Sequence, residues 1–290
     1  MRYGKVAPWL FITPTILGLV FFRIGPIIAA FLASFTSWNV FSPPQWIGTS
    51  NYVELFNSGT FWMILRNTLV FSLMYVMGVM VCGLFLAILV NNRLRAITFF
   101  RGLYYLPVIT STVAIGVVWS WILSPRFGVL PNVLADLGVH NIPSFLGDSR
   151  YALLTLVMVY IWKMSGYHMI LFLAGLQNIP EEYYEAAKID GATRWQSLRH
   201  ITLPLLSSTT FFIGIIALIQ SLQSFDITMA MTEGGPNYAS ATLSFFTYIN
   251  AFVHFRMGYA SAMSFVLLII VGVITFINFY ARKYWVETVD

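Results

Sequence analysis

Ser165 and His168 stand three residues apart in an apolar run, a spacing at which a nucleophile and a base can share one helix face. Hydrolysis inside a membrane would want such a buried Ser/His pair, or a pair of Asp. No G-x-S-x-G surrounds Ser165, and the apolar core of no segment holds a carboxylate. A structural or interfacial histidine therefore accounts for His168 better than a membrane-embedded hydrolase does. The G-x-x-x-x-G-K-[ST] phosphate loop is absent, so the chain has no cradle of its own for a nucleotide. Cys82 is the only cysteine, which excludes an intrachain disulfide and a thiolate metal site. The expectation is a chain that is not an enzyme and holds no cofactor or metal.

Two ionisable groups fall within long apolar segments, Arg23 and Lys163. Such groups are costly in a bilayer and are candidates for function. Helical spacing puts Tyr160 and Tyr167 on the face of Lys163, and Thr209, Gln220, Gln223 and Ser224 form a second polar stripe. Amide, hydroxyl and aromatic groups of this kind hold hydroxyl-rich solutes, so the stripes are candidates for a translocation path. Ser, Thr and Gln also join helices within membranes, and for Gln220 and Gln223 the two readings weigh equally. Arg23 is open to three readings: snorkelling, pairing with a neighbouring chain, or meeting an anionic solute.

One stretch breaks the apolar pattern. Between Glu181 and His200 lie four carboxylates, three basic residues and a histidine. Asn178 and Glu181 have capping-box spacing with Pro180 between them, which predicts a first helix. Glu181 and Glu182 suit the positive end of its dipole and Lys188 the negative end. Gly191 supplies a left-handed closing residue, and Thr193 with Gln196 forms a second capping box. Arg199 and His200 then fall in the last turn, and Pro204 marks the return to an apolar segment. An amphipathic connector on lipid headgroups would carry a basic face, whereas here the charges nearly cancel. Ala186, Ala187 and Gly191 offer small side chains for close approach of another backbone, so a docking surface for a cytoplasmic protein fits better.

These residues need a frame, and composition names it. The chain is 58% hydrophobic and 9% charged, far from the soluble norm of about 25% charged. That is an all-α integral membrane protein in a lipid bilayer, not a nucleic-acid binder, since the basic residues are dispersed. Six segments reach the roughly 20 apolar residues needed to span: about 9–36, 67–90, 104–124, 151–175, 203–225 and 258–281. The first is too long for a signal-peptide core and reads as an uncleaved span. One side holds Arg2, Lys5, Arg93, Arg95, Arg101, Lys188, Arg194, Arg199, Arg282 and Lys283. The other holds only Arg66, Arg126, Arg150 and Arg256. The richer side should be cytoplasmic, which places both termini and the charged loop 178–202 inside. The first outer loop is expected to contain a short interfacial helix. The segment after the Gly-Gly-Pro turn should approach the last span as a helix, either dipping into the bundle or lying on its rim.

The spacing Glu185-Ala186-Ala187, three residues, Gly191, nine residues, Ile201-Thr202-Leu203-Pro204 resembles the EAA motif of ABC importer permeases. "FFRGLYYLPVITSTVAIGVVWSWILSPRFG" and "IWKMSGYHMILFLAGLQNIP" are similar to the carbohydrate-uptake, maltose-type branch, and the likeness runs over nearly the whole chain. The resemblance implies one permease domain over 1–290 with a type I importer bundle, in a bacterial cytoplasmic (inner) membrane. It implies import of a sugar or sugar-like solute by alternating access. Glu185, Ala186, Ala187, Asp190 and Gly191 would form the coupling helix seated in a groove of a separate ATPase. Implied partners are two ATP-binding subunits, which use ATP and Mg, a second homologous permease (a heterodimer), and an extracytoplasmic solute-binding protein. The resemblance also makes "IWK" a family-wide feature, which weighs against Lys163 selecting the solute. A self-sufficient secondary transporter is the alternative class.

Overall fold

The computed structural model describes residues 7–91 and 97–283. Arg2, Lys5, Arg93 and Arg95, four of the residues that set the expected orientation, lie outside them. Among the described residues every regular element is helical, and one isolated bridge joins Thr36 to Trp46. Four helices are long and apolar enough to cross a membrane, or up to six if each of two bent pairs counts as one span.

The chain groups into two units, one from the N-terminal helix to Phe61 together with Thr247–Ile269, the other Trp62–Phe246 with the chain beyond Ile270. In the first unit, α1 (Trp9–Ala33) carries no buried residue in its most apolar window. It contains a π turn at Val20–Ile24, where Gly25 N–H donates to the Val20 carbonyl. Pro26 follows and has no N–H to continue the regular ladder, which explains a wider turn at this point. The end of α1 is closed by Asn51 from α2 (Ser50–Asn57), whose Nδ2 donates to the carbonyls of Ser34 and Thr36 at 2.8 and 2.9 Å. A short helix thus lies between the first two long helices, where the sequence led one to be expected. Arg256 pairs with Glu54 at 2.6 Å and lies over the Tyr259 ring.

The second unit is built around α7 (Ala152–Gln177), the helix with the largest buried share. The expected span 67–90 is the C-terminal part of a longer helix, α3 (Gly59–Val90). At 1.5 Å per residue its 32 residues reach about 48 Å, beyond a hydrocarbon core of about 30 Å. The expected continuous span 104–124 is instead a pair, α4 (Ile97–Ile109) and α5 (Thr112–Ile122), bent by 94°. Pro107 removes one ladder bond, and the backbone of Ser111 is extended at the break. A short helix, α6 (Val129–Asp136), follows.

Beyond α7 come α8 (Glu181–Ile189), α9 (Arg194–Leu205) and α10 (Ser207–Leu222). The expected span 203–225 thus divides, because α9 and α10 meet at 66° after Pro204. A π turn at Leu198–Thr202 again lies just ahead of a proline. The segment that follows α10 enters the unit. In α11 (Asp226–Met231) a close approach to α5 is made possible by Gly116, where a Cβ would lie 2.6 Å from that of Ala230. The start of α12 (Leu243–Val253) is also buried, with Leu243 N–H donating to Thr68 Oγ1 at 2.8 Å. The last long helix is α13 (Met257–Arg282).

Small residues set these contacts. A Cβ on Gly166 of α7 would run into the Tyr104 carbonyl of α4, and one on Gly83 of α3 would lie 2.8 Å from His168 Cβ. In lipid, where tails are as apolar as leucine, such close packing is a main source of helix association. Gly166→Ala should therefore cost about 1–3 kcal/mol by overpacking and lower the unfolding temperature of the detergent-solubilised protein. Gly272→Ala, at a helical position with open space beside it, should not lower that temperature. Equal temperatures for the two variants would contradict this packing account.

Candidate functional site

The charged stretch folds as a tight hairpin of two helices. α8 starts at Glu181 behind Pro180, and its cap carries no side-chain hydrogen bond. The expected Asn178 cap is not formed: Asn178 closes α7, donating its N–H to the Gly175 carbonyl. Ile179 beside it is buried and bonds back to Leu176, so tertiary anchoring takes the turn that the local pattern assigned to the next helix.

The far end of α8 matches its local chemistry. Gly191 has φ +77°, its N–H donates to Lys188 O at 3.1 Å, and Ala192 N–H donates to Ala187 O at 2.8 Å. This pair of bonds is the Schellman closure. Thr193 then opens α9 with a full capping box, N–H to Gln196 Oε1 at 2.8 Å and Gln196 N–H to Thr193 Oγ1 at 3.3 Å. Only Gly191 and Ala192 separate one cap from the next, so the hairpin has little freedom. Its base is held by Tyr184 and Thr202, whose hydroxyls lie 3.0 Å apart.

The tip is presented outward. Glu185, Ala186, Asp190 and Gly191 are exposed and Ala187 is half-buried. Ile189 is 86% and Trp195 66% exposed, so apolar side chains flank the turn as well. An exposed, pre-ordered hairpin of small, apolar and acidic groups can dock into a groove of a partner. It holds no catalytic constellation.

Within the bundle, the structure sorts the polar candidates. Lys163 is only 4% exposed and its Nζ donates to Val108 O at 3.2 Å. Tyr160 is buried, with its ring 4.8 Å from that of Tyr75, and Gln220 Oε1 accepts from Tyr75 Oη at 3.1 Å. Thr209 packs on Gly175 of α7. Ser224 is buried and its carbonyl accepts from Thr242 Oγ1 at 2.8 Å. Tyr167 is half-buried with its ring edge-on to His168. Gln223 is exposed, and so is Arg23, which sits in the π turn of α1. Ser165 Oγ donates to Ile161 O at 2.6 Å, and His168 Nδ1 lies 3.0 Å from Met164 O. Both thus bond to their own helix backbone, with no nucleophile–base bond between them.

The sequence reading missed four participants. Tyr75 sits in an apolar helix, and the signal for it was a phenol that must find a partner where water is absent. Thr242 and Ser244 donate to the carbonyls of Ser224 and Leu222 at the end of α10. Asp226 follows the polar stripe directly and lies within electrostatic reach of both Lys163 and Tyr160. A cavity of about 860 Å³ opens between α3, α4, α5 and α7. Phe85, Leu106, Val118, Trp119, Met158 and Trp162 are among its walls; Ser165 lines it too, whereas Tyr160, Lys163, Tyr167, Thr209, Gln220, Gln223 and Ser224 do not. Among the described residues, no group of three or more His, Cys, Asp or Glu could hold a metal ion.

The family described as "Binding-protein-dependent transport system inner membrane component" matches residues 79–285. A protein of Bacillus subtilis described as a probable ABC transporter permease, YesP, is 37% identical, covering 99% of this chain and 94% of its own. The lactose transport system permease LacF of Rhizobium radiobacter is 35% identical, covering 97% and 96%. A chain of a bacterial alginate ABC transporter, solved in complex with its alginate pentasaccharide-bound periplasmic protein, superposes with a TM-score of 0.87 at 25% identity over 99% of both chains.

The order of the hairpin is open to direct measurement. Removing the Thr193 side chain should cost the second helix about 1 kcal/mol. In Thr193→Ala, amide hydrogen exchange at Arg194–Ser197 should then run about fivefold faster, with α7 unchanged. Unaltered exchange would mean that the capping box does not hold the hairpin.

Proposed function

The chain belongs to the family of binding-protein-dependent transport system inner membrane components, and from that premise we propose the following mechanism. It is a permease subunit of a bacterial ABC importer that moves a sugar or sugar-like solute by alternating access. Energy comes from ATP hydrolysed on two separate ATP-binding subunits, which use Mg and dock on the 178–202 hairpin. The observation that carries the reading is the hairpin itself, capped at both inner ends and exposing Glu185, Asp190 and Gly191 with Ala186.

In this reading each bent pair is one span, which makes six, with both termini on the cytoplasmic side of the inner membrane. Glu185 meets a basic residue of the ATPase, and Ala186 and Ala187 allow the two backbones to approach. Closure of the ATPase pair pushes α8, which continues from α7 through one short turn, and the bundle rocks. A second homologous permease completes the pathway, and an extracytoplasmic solute-binding protein delivers the cargo. A relative named for lactose and a structural neighbour of an alginate transporter support a saccharide as the solute class. Tyr160, Lys163, Tyr167, Thr209, Gln220, Gln223 and Ser224 divide in this account. Exposed Gln223 and half-buried Tyr167 are the ones free to meet solute; Tyr160, Lys163, Thr209 and Gln220 are engaged in bonds or packing between helices, and Ser224 is buried and bonded through its carbonyl alone.

Glu185→Ala should abolish uptake of labelled saccharides in cells while leaving membrane insertion intact. Gly191→Pro should do the same, because proline fixes φ near −65° where +77° is needed and removes the N–H bound to Lys188. The chain reconstituted alone should move no saccharide on an ion gradient. Normal uptake in both variants would end the coupling assignment, and gradient-driven uptake by the isolated chain would make it a secondary transporter.

A further inference from the structure

We propose that Lys163 is a positioning residue that fixes the bend between α4 and α5 and ties that bend to α7. The inference deepens the coupling reading above and rests on it for its consequence in transport.

A lysine ammonium within an apolar bundle is stable only with partners. Here the partner is the carbonyl of Val108, in the last turn of α4. The last carbonyls of a helix have no i+4 donor and carry the negative end of its dipole. In a continuous span the 112 N–H would take the Val108 carbonyl. The 94° bend frees that carbonyl, and a charged side chain from α7 takes the place of the missing donor.

The other half of the bent span packs on the helix that carries the acidic neighbour of this ammonium. Asp226 opens α11 and lies within electrostatic reach of Lys163. That helix packs on α5 where Gly116 meets Ala230. The cation is thus bonded to the end of α4, with a carboxylate on the helix that packs on α5 within electrostatic reach. At 4% exposure it has no free face for a hydrated solute, and it does not line the large cavity.

The consequence follows from chain order. α7 carries Lys163 and runs through Asn178–Pro180 into α8, so the bend and the docking hairpin share one rigid helix. Movement of α8 reaches the bend through α7. Without the ammonium the bend is no longer indexed to that movement.

The test uses the complete transporter in nanodiscs, in a Cys82→Ser background with spin labels at Phe99→Cys and Val117→Cys. Both positions are exposed, one on each arm of the bend. Electron–electron distance distributions and MgATP hydrolysis are read together. Lys163→Met should broaden the distribution and lower the MgATP turnover number about tenfold with the KM for MgATP unchanged, as expected for loss of one charge-assisted hydrogen bond. Lys163→Arg should restore both readings to within about twofold. Asp226→Asn, which leaves the Val108 bond in place, should shift both in the same direction by less. It also serves if Lys163→Met does not assemble.

A narrow distribution with unchanged turnover in Lys163→Met, or in Asp226→Asn where the first variant does not assemble, would overturn the proposal. So would a Lys163→Arg variant that behaves like Lys163→Met. Glu185→Ala in the same preparation separates the two layers. If it too leaves MgATP turnover unaltered, the coupling reading fails, and the distance distributions alone then decide the role of Lys163.

Discussion

In a bilayer every backbone N–H and C=O must find its partner within the protein. That constraint organises this molecule, because its helices are broken at several points and each break frees carbonyls. At four helix ends, side chains from elsewhere in the sequence take them up. Arg101 donates to Val90 at the end of α3, Lys163 to Val108 at the end of α4, and Thr242 and Ser244 to Ser224 and Leu222 at the end of α10. Asn51 does the same at the end of α1. Of the polar residues that stand out in the apolar segments, Lys163 is the one that meets such a carbonyl; the other donors come from loops and helix ends.

The hairpin of α8 and α9 solves the same problem in the opposite way. There the end groups are met locally, by Gly191 and by the Thr193–Gln196 box, without help from distant elements. Its exposed side is thereby left free for a partner, while Ile179, Tyr184 and Leu206 root it in the bundle. Charge and exposure at the tip are consistent with a segment built to leave the lipid. One helix, α7, links this tip to the broken span, so a push at the surface has a short covalent route to the interior.

What could be read from the sequence follows the same division. The second capping box and the left-handed Gly191 were legible because both are set within a few residues. Asn178 had equally good spacing and still failed as a cap, since burial of Ile179 assigned its turn to α7. Apolar length located the membrane segments but treated 104–124 and 203–225 as straight. Pro107 and Pro204 were visible there, yet neither reveals which group meets the carbonyls a bend frees. For Val108 that donor is 55 residues away. Gln220 could not be sorted between cavity and contact until Tyr75 appeared opposite it, 145 residues earlier in the chain. Asp226 was overlooked because it falls just past the apolar run that drew attention.

The central claim is that the hairpin tip seats in an ATP-hydrolysing subunit. The direct measurement is cross-linking of the assembled transporter with the sole cysteine moved to the tip, Cys82→Ser with Glu185→Cys, using a maleimide–aryl azide reagent. The account predicts that the adduct maps to an ATP-binding subunit, and that a cysteine at Leu137, 75% exposed on the chain after α6, gives none there. Adducts to lipid or to another permease from position 185, with the ATP-binding subunit unmodified, would contradict it.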